Sequence, residues 1–345
     1  MHFLERAWYR KAGWLYLLWP FSMLFQLLTL LRRQIISSNA KAAPARVPVV
    51  VIGNISVGGT GKTPLLIELA KKFSAAGFKP GVISRGYLSN APSYPFSVTP
   101  DSRPDEAGDE ALLIARSLKC PVVIDPKRNR ALATINQDYN CDVIFSDDGL
   151  QHYALHRDIE VAVIDGGRLF GNGLCFPAGP LREPVSRLAS VDFQVINGAG
   201  VDLSTYPHLA KAYAMELEPL YLVNLQSGTK KPFRGAPFNI GATVHAVTGI
   251  GNPDRFFNLL TALPYQIERH DFPDHHPFTA QDFERLGIDE HQPIVMTEKD
   301  AVKCSEFAHP NFWFLSLRVK LPDEMLEQLL SQLGALVKQK SNASG

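Results

Sequence analysis

Lys62 and Thr63 close a glycine-rich run, Gly58-Gly59-Thr60-Gly61, that follows the β-branched stretch Val49–Ile52. At this spacing a lysine reaches the β- and γ-phosphates of a nucleotide, and a threonine hydroxyl holds Mg²⁺. The backbone N–H groups of the run can wrap an anion, because glycine allows positive φ and close approach. The expected nucleotide contacts are Ser56, Val57, Gly58, Gly59, Thr60, Gly61, Lys62 and Thr63. Ser56 stands where the strict G-x-x-x-x-G-K-[ST] pattern has its first glycine. A plain flexible turn is the alternative, but the strand before it and the helical pattern after it (LLIELAKKF) argue for a phosphate loop. A second chemical pair, Asp147 and Asp148, ends the apolar run in DVIFSDDGLQH. Adjacent carboxylates repel, and a divalent cation beside the phosphate loop would relieve that repulsion. An Asp-Asp-Gly turn without a metal is the alternative.

Strands followed by helices must position these groups. KPGVISRGY (79–87) reads as a parallel strand ending in Ser84-Arg85-Gly86-Tyr87, and functional residues of open parallel sheets gather at such ends. A Pro- and Ser-rich loop (90–108) leads to Asp109 at a helix start, where a carboxylate also serves as an N-cap. PVVID (121–125) precedes Lys127, Arg128 and Arg130, which suit either phosphate or a solvated face. IEVAVID (159–165) and FQVING (193–198) complete a first sheet. Between them FGNGLCFPAGPLREP (170–184), with Arg182 and Glu183, is either a substrate wall or a surface connection.

From about Tyr213 the pattern becomes extended and then alternates again. HAVTGIGNPDRFF (245–257) is strand, turn and helix; its G-x-G is too incomplete for a dinucleotide fingerprint. HDFPDHHPF (270–278) concentrates three histidines. It lacks the spacing and cysteine partners of a zinc site, but suits a loop that delivers a histidine to a neighbouring domain. PIVMTEKDAVK (293–303) has the wrong order for a guanine-reading motif. The expected fold is α/β: a P-loop NTPase-type, mostly parallel sheet with helices on both faces, a second smaller α/β domain and an N-terminal membrane-associated helix. The boundaries fall at 1–36, 37–212 and 213–345, with an extended hinge at the last junction.

The chain has 345 residues, 46% of them hydrophobic, and a net charge of +1. That balance gives no general drive toward nucleic acid. Its cysteines are scattered without a C-x-x-C, which fits a reducing compartment. WLYLLWPFSMLFQLLTLL (14–31), flanked by Arg10-Lys11 and Arg32-Arg33, is long enough to span a bilayer. Its polar interruptions and two-sided positive charge fit a helix lying in one leaflet, with Trp8, Trp14, Tyr16 and Trp19 at the headgroups. A buried core helix is the alternative. Residues 37–46 then form a linker.

Taken together, GNISVGGTGKTP (53–64), SRGY (84–87), GDEA (108–111), DDGLQH (147–152), PAGPLREP (177–184), TGIGNP (248–253), DH (274–275) and TEKDAVK (297–303) span nearly the whole chain. The combination resembles the tetraacyldisaccharide 4′-kinases, the lipid A kinases of Gram-negative bacteria. That resemblance implies ATP and Mg²⁺ as cofactors and a tetraacyldisaccharide 1-phosphate as lipid substrate, phosphorylated at its 4′-hydroxyl to give lipid IVA. It implies the cytoplasmic face of the bacterial inner membrane, with no obligate protein partner evident and no nucleic acid. It places Lys62 on phosphate, Thr63, Asp147 and Asp148 on the metal, and Asp109 as the catalytic carboxylate partnered by His275, with His276 the adjacent alternative. Gln151, Arg182 and Glu183 fall on the substrate side. The competing readings are a membrane-anchored P-loop nucleotide switch and a P-loop kinase of a small soluble metabolite.

Overall fold

The computed structural model describes residues 2–39, 45–198, 200, 205–235 and 237–344. Among these, thirteen strands join in one sheet. They are β1 (Val49–Gly53), β2 (Pro80–Ser84), β3 (Phe96–Val98), β4 (Val122–Ile124), β5 (Val143–Asp147), β6 (Ile159–Asp165), β7 (Phe193–Asn197), β8 (Tyr213–Asn224), β9 (Lys230–Pro232), β10 (Thr243–Thr248), β11 (Gln266–Asp271), β12 (Ile294–Thr297) and β13 (Phe312–Lys320). Their order is β11-β10-β12-β13-β8-β7-β6-β1-β5-β2-β4-β3, with β9 on β8. Pairing is parallel except at β3–β4, β8–β9 and β8–β13.

The apolar runs Val49–Ile52 of β1, Val143–Phe145 of β5 and Val161–Ile164 of β6 follow from burial on both faces. Val50, Ile52 and Phe145 pack with the helices Lys62–Ala75 and Asp109–Ser117 on one side. Val49, Val51 and Ile144 pack with the helix Arg128–Asp138 on the other. Strand β8 belongs to both halves. Its start pairs with β7 at Tyr213–Met215, and most of its length pairs with β13. The C-terminal helix Asp323–Ser344 returns to the first half, where Met325, Leu329 and Leu333 join the core around β1. Lys340 Nζ reaches Asp158 at 2.9 Å.

The N-terminal segment comprises a helix His2–Tyr9, a 3₁₀ turn Gly13–Leu18 and a helix Trp19–Asn39. The helix continues past Ser37, where a linker was expected; residues 40–44 of that linker lie outside the described residues. Only 11% of an apolar 18-residue window within Gly13–Ile36 is buried, so this is not a core helix. Leu17, Phe21, Leu24, Leu27, Leu28 and Leu31 are exposed. The polar interruption at Ser22 is the docking point: its hydroxyl donates to the Cys175 carbonyl at 2.8 Å and accepts from the Ala178 N–H at 2.9 Å. Trp8 departs from its expected headgroup position. It is buried, and its indole N–H donates to the Pro177 carbonyl at 3.0 Å. The loop 170–184 thus supports the N-terminal segment, while Trp14, Tyr16 and Trp19 remain exposed.

Candidate active site

The carboxyl ends of the parallel strands open onto one cleft of about 2400 Å³. This exceeds the roughly 300–1,000 Å³ of a pocket for one small ligand. Gly58–Thr63, Asp147, Asp148, Gln151, Arg182, His275 and Lys299 all line it, and Glu5, Tyr9, Arg10, Phe25 and Arg32 of the N-terminal segment form part of its wall.

The phosphate loop sits between β1 and the helix Lys62–Ala75. Gly61 has φ +95°, and a Cβ there would collide with the Asn197 amide. That amide donates to the Thr60 carbonyl at 2.9 Å and so braces the loop. Lys62 Nζ lies 3.3 Å from Asn54 Oδ1 and 3.5 Å from Asp148 Oδ1. The second half closes over this loop: a Cβ on Gly251 would come within 3.3 Å of the Gly59 nitrogen. The G-x-G of TGIGNP therefore serves close approach between the halves. Arg168 holds the same junction, donating to the Gly251 carbonyl at 3.1 Å and to Glu5 at 2.9 Å.

Asp147 and Asp148 differ in environment. Asp148 pairs with Arg182 at 3.1 Å; burial would raise its pKa, but Lys62 and Arg182 hold it well below the usual carboxylate range. Asp147 is buried, and desolvation together with Glu110 and Asp148 pushes its carboxyl up. Its Oδ1 is buried with no hydrogen-bond partner among the described residues. A buried, unsatisfied carboxylate oxygen beside a phosphate loop fits a divalent cation such as Mg²⁺. Asp148 also has φ +45° and His275 has φ +60°. Non-glycine residues in this region store about 1–3 kcal/mol each, and such strain gathers at functional sites.

Asp109 opens its helix at the first position, after the N-cap Gly108, and accepts from the Glu110 N–H at 2.9 Å. It therefore takes part in the helix start, and it also meets the second half. His275 Nδ1 lies 3.0 Å from Asp109 Oδ2, while His276 turns away to Asp282 at 3.2 Å. Lys299 Nζ lies 3.2 Å from His275 Nε2, 3.0 Å from Glu110 Oε1 and 3.8 Å from Asp109 Oδ2. Lysine only donates, so Nε2 accepts and the Nδ1–H donates to Asp109. Burial would raise the Asp109 carboxyl, but the His275 hydrogen bond and the Lys299 charge bring it down to about 2. Tyr87 packs edge-on against His275, with ring centroids 4.9 Å apart.

Gln151, Arg182 and Glu183 form one cluster at different depths. Gln151 Nε2 donates to Glu183 Oε1 at 2.8 Å, and Tyr153 donates to its other oxygen at 2.8 Å. Glu183 is buried beneath the cleft, whereas Gln151 and Arg182 face into it. Of the expected phosphate cations, Arg128 is buried and donates to the Asp147 carbonyl at 2.8 Å, and Arg130 pairs with Asp125 at 2.8 Å. Both brace strand ends, Arg128 from the interior and Arg130 from the surface, where Lys127 is also exposed.

Lys299, Glu110, Asn54 and Tyr87 lay inside or beside quoted motifs without a role assigned to them. The available signal for Lys299 was its place just beyond the carboxyl end of a parallel strand. Lys299→Met is expected to raise the Asp109 pKa, because burial then acts against less positive charge. Asp109 must be ionised to accept a proton, so the acid limb of kcat/KM moves to higher pH. A pH profile superimposable on the wild type would contradict the contact.

A family model described as tetraacyldisaccharide-1-P 4′-kinase matches residues 14–334. The chain belongs to that family. It is 43% identical to the tetraacyldisaccharide 4′-kinase of Hahella chejuensis, over 98% of both chains. It is 45% identical to those of Aeromonas hydrophila, over 96% of both, and Nitrosococcus oceani, over 98% of this chain and 96% of that one. The crystal structure of LpxK from Aquifex aeolicus in complex with ATP superimposes with a TM-score of 0.74 at 26% identity, covering 92% of this chain and 99% of that one. Family membership, the α/β fold with its mostly parallel sheet and a kinase activity toward an alcohol acceptor therefore agree with the motif reading.

Proposed function

We propose that this kinase transfers the γ-phosphoryl group of MgATP to the 4′-hydroxyl of a tetraacyldisaccharide 1-phosphate, at the cytoplasmic face of the bacterial inner membrane. The observation that carries this is one cleft that joins the phosphate loop, the His275 and Lys299 side chains that hold the buried Asp109, and the exposed apolar N-terminal helix. A nucleotide and a lipid headgroup both fit there, with acyl chains able to stay on the membrane side.

In this reading the loop amides and Lys62 hold the β- and γ-phosphates, and the positive end of the helix Lys62–Ala75 adds to them. Thr63, Asp147 and Asp148 would hold Mg²⁺, which when bound neutralises charge on the β- and γ-oxygens. Arg182 and Gln151 contact the sugar lipid, and Glu183 anchors Gln151 from below. Asp109 accepts the proton of the attacking 4′-oxygen while that oxygen forms its bond to phosphorus and ADP leaves. A weakly basic carboxylate suits a loose transition state, in which the proton moves late. His275 orients Asp109 through its Nδ1–H, across the junction between the two halves. The division at 1–36, 37–212 and 213–345 belongs to the same reading, with β8 as the hinge. The C-terminal helix ties the halves at a second point.

ADP release by full-length protein should depend on the lipid acceptor. Equal ADP release without acceptor, raised instead by a protein, would favour the nucleotide switch. The membrane contact has its own test. Deleting the N-terminus would strip the buried Trp8 and Ser22 from the fold, so a surface variant is cleaner. Leu24 and Leu28 are 54% and 57% exposed. Each buried leucine contributes roughly 1.5–3 kcal/mol. Leu24→Glu/Leu28→Glu should therefore weaken flotation with anionic vesicles roughly a hundredfold or more. Unchanged flotation would place the anchor elsewhere.

A further inference from the structure

The histidines of HDFPDHHPF go to three places. His275 faces Asp109, His276 faces Asp282, and His270 turns along β11 toward β10. Strand β11 is the edge of the sheet. It pairs in parallel with β10, in the register His245↔Glu268 and Val247↔His270. His245 Nδ1 lies 3.0 Å from His270 Nε2 and 3.3 Å from Glu268 Oε2. All three ligand atoms lie within 4.8 Å of one another. None of these residues lines the cleft.

We propose that His245, Glu268 and His270 form a site for a divalent transition-metal ion of the zinc type, separate from the kinase cleft. Zinc takes nitrogen and carboxylate ligands at about 2.0–2.2 Å in tetrahedral geometry, which sets neighbouring donors roughly 3.3 Å apart. The observed 3.0 and 3.3 Å need little rearrangement. The inner ligand is already oriented. His245 is 5% exposed, and its Nε2 lies 3.1 Å from Gln292 Oε1. An amide oxygen only accepts, so Nε2 carries the proton and Nδ1 presents its lone pair to the site. A hydrogen-bonded outer nitrogen of this kind is the usual support of a metal-bound histidine. His270 is half-buried, and the Glu268 side chain is 58% exposed, which leaves water access for a fourth ligand.

Binding is a ligand substitution with no change of oxidation state. The proton that His270 Nε2 now donates to His245 leaves to solvent, and its Nδ1 takes up a solvent proton. The ion forms bonds to His245 Nδ1, His270 Nε2 and a Glu268 oxygen. The local sequence hides this set, because the inner ligand lies on a strand that a helix separates from β11. The edge strand is joined to β10 by the site, so metal binding stabilises that edge of the folded state.

Co²⁺ titration of the full-length protein in saturating MgATP tests this by visible absorption. One equivalent should give the intense bands of tetrahedral Co²⁺, displaced by Zn²⁺. His270→Ala should abolish the bands, and Gln292→Ala should weaken binding by about 10–100-fold. Asp147→Asn in the cleft should leave them intact. Because His245 is buried, the half-buried His270 is the cleaner variant, with its fold checked by a thermal melt. Absence of tetrahedral bands at millimolar Co²⁺ would leave a hydrogen-bonded histidine pair only and overturn the site, as would bands that persist in His270→Ala.

Discussion

Asp109→Asn is expected to lower kcat by about 10²–10⁴-fold, the usual range for loss of a positioned general base. ATP affinity should stay near the wild-type value, because Asp109 lies on the helix after β3 and not on the phosphate loop. The substitution preserves shape and leaves an amide oxygen to accept from the His275 Nδ1–H, but it removes the negative charge and the basic oxygen that takes the substrate proton. The low pKa of about 2 bears on the sign of the pH dependence. The wild-type carboxylate is ionised throughout the neutral and mildly acid range, so no acid limb at neutral pH belongs to it. Its folded pKa lies below the ordinary aspartate value of about 3.9, so the stability it contributes is present above that value and lost as pH falls toward 2. Stopped-flow phosphoryl transfer together with ATP binding separates the effects. An unchanged kcat would reduce Asp109 to a residue of the helix start.

Lys62→Ala should lower kcat by about 10²–10³-fold, the scale for removing one preorganised donor from developing negative charge. Unlike Asp109→Asn, it should also weaken ATP binding, since the ammonium group acts on the ground-state phosphates as well. Lys62 rests between the Asn54 amide and the Asp148 carboxylate. Its loss would free Asp148 to pair with Arg182 alone and raise the Asp148 carboxyl from its depressed value. Measured kcat and ATP Kd must both move. A variant with normal ATP affinity and normal kcat would remove Lys62 from the phosphate site.

The two halves of the molecule differ in how much their sequence revealed. Strands β1, β5 and β6 are buried on both faces, so they read as mostly apolar runs, and the glycine-lysine-threonine turn after β1 has few other uses. Contacts between distant segments were not legible. Trp8 has the composition of a headgroup anchor, yet its partner is the Pro177 carbonyl. Ser22 looks like a flaw in an apolar helix and is the hydroxyl that pins it. The choice between His275 and His276 depends on a left-handed residue at 275 that directs the two rings to opposite partners. Arg128 reads as a phosphate grip but is drawn inward by the Asp147 carbonyl. The C-terminal helix showed its amphipathic face in sequence, but not that this face joins the core of the other half.

On the proposed reading, this cleft moves phosphate from ATP to a lipid hydroxyl. The most direct measurement incubates the full-length protein with MgATP and a tetraacyldisaccharide 1-phosphate in mixed micelles, and determines the position of the new phosphate by phosphorus NMR. A single product carrying phosphate on the 4′-oxygen is expected, formed at a rate that collapses in Asp109→Asn. ATP turnover that leaves the lipid unmodified, or product formed equally well by Asp109→Asn, would contradict it.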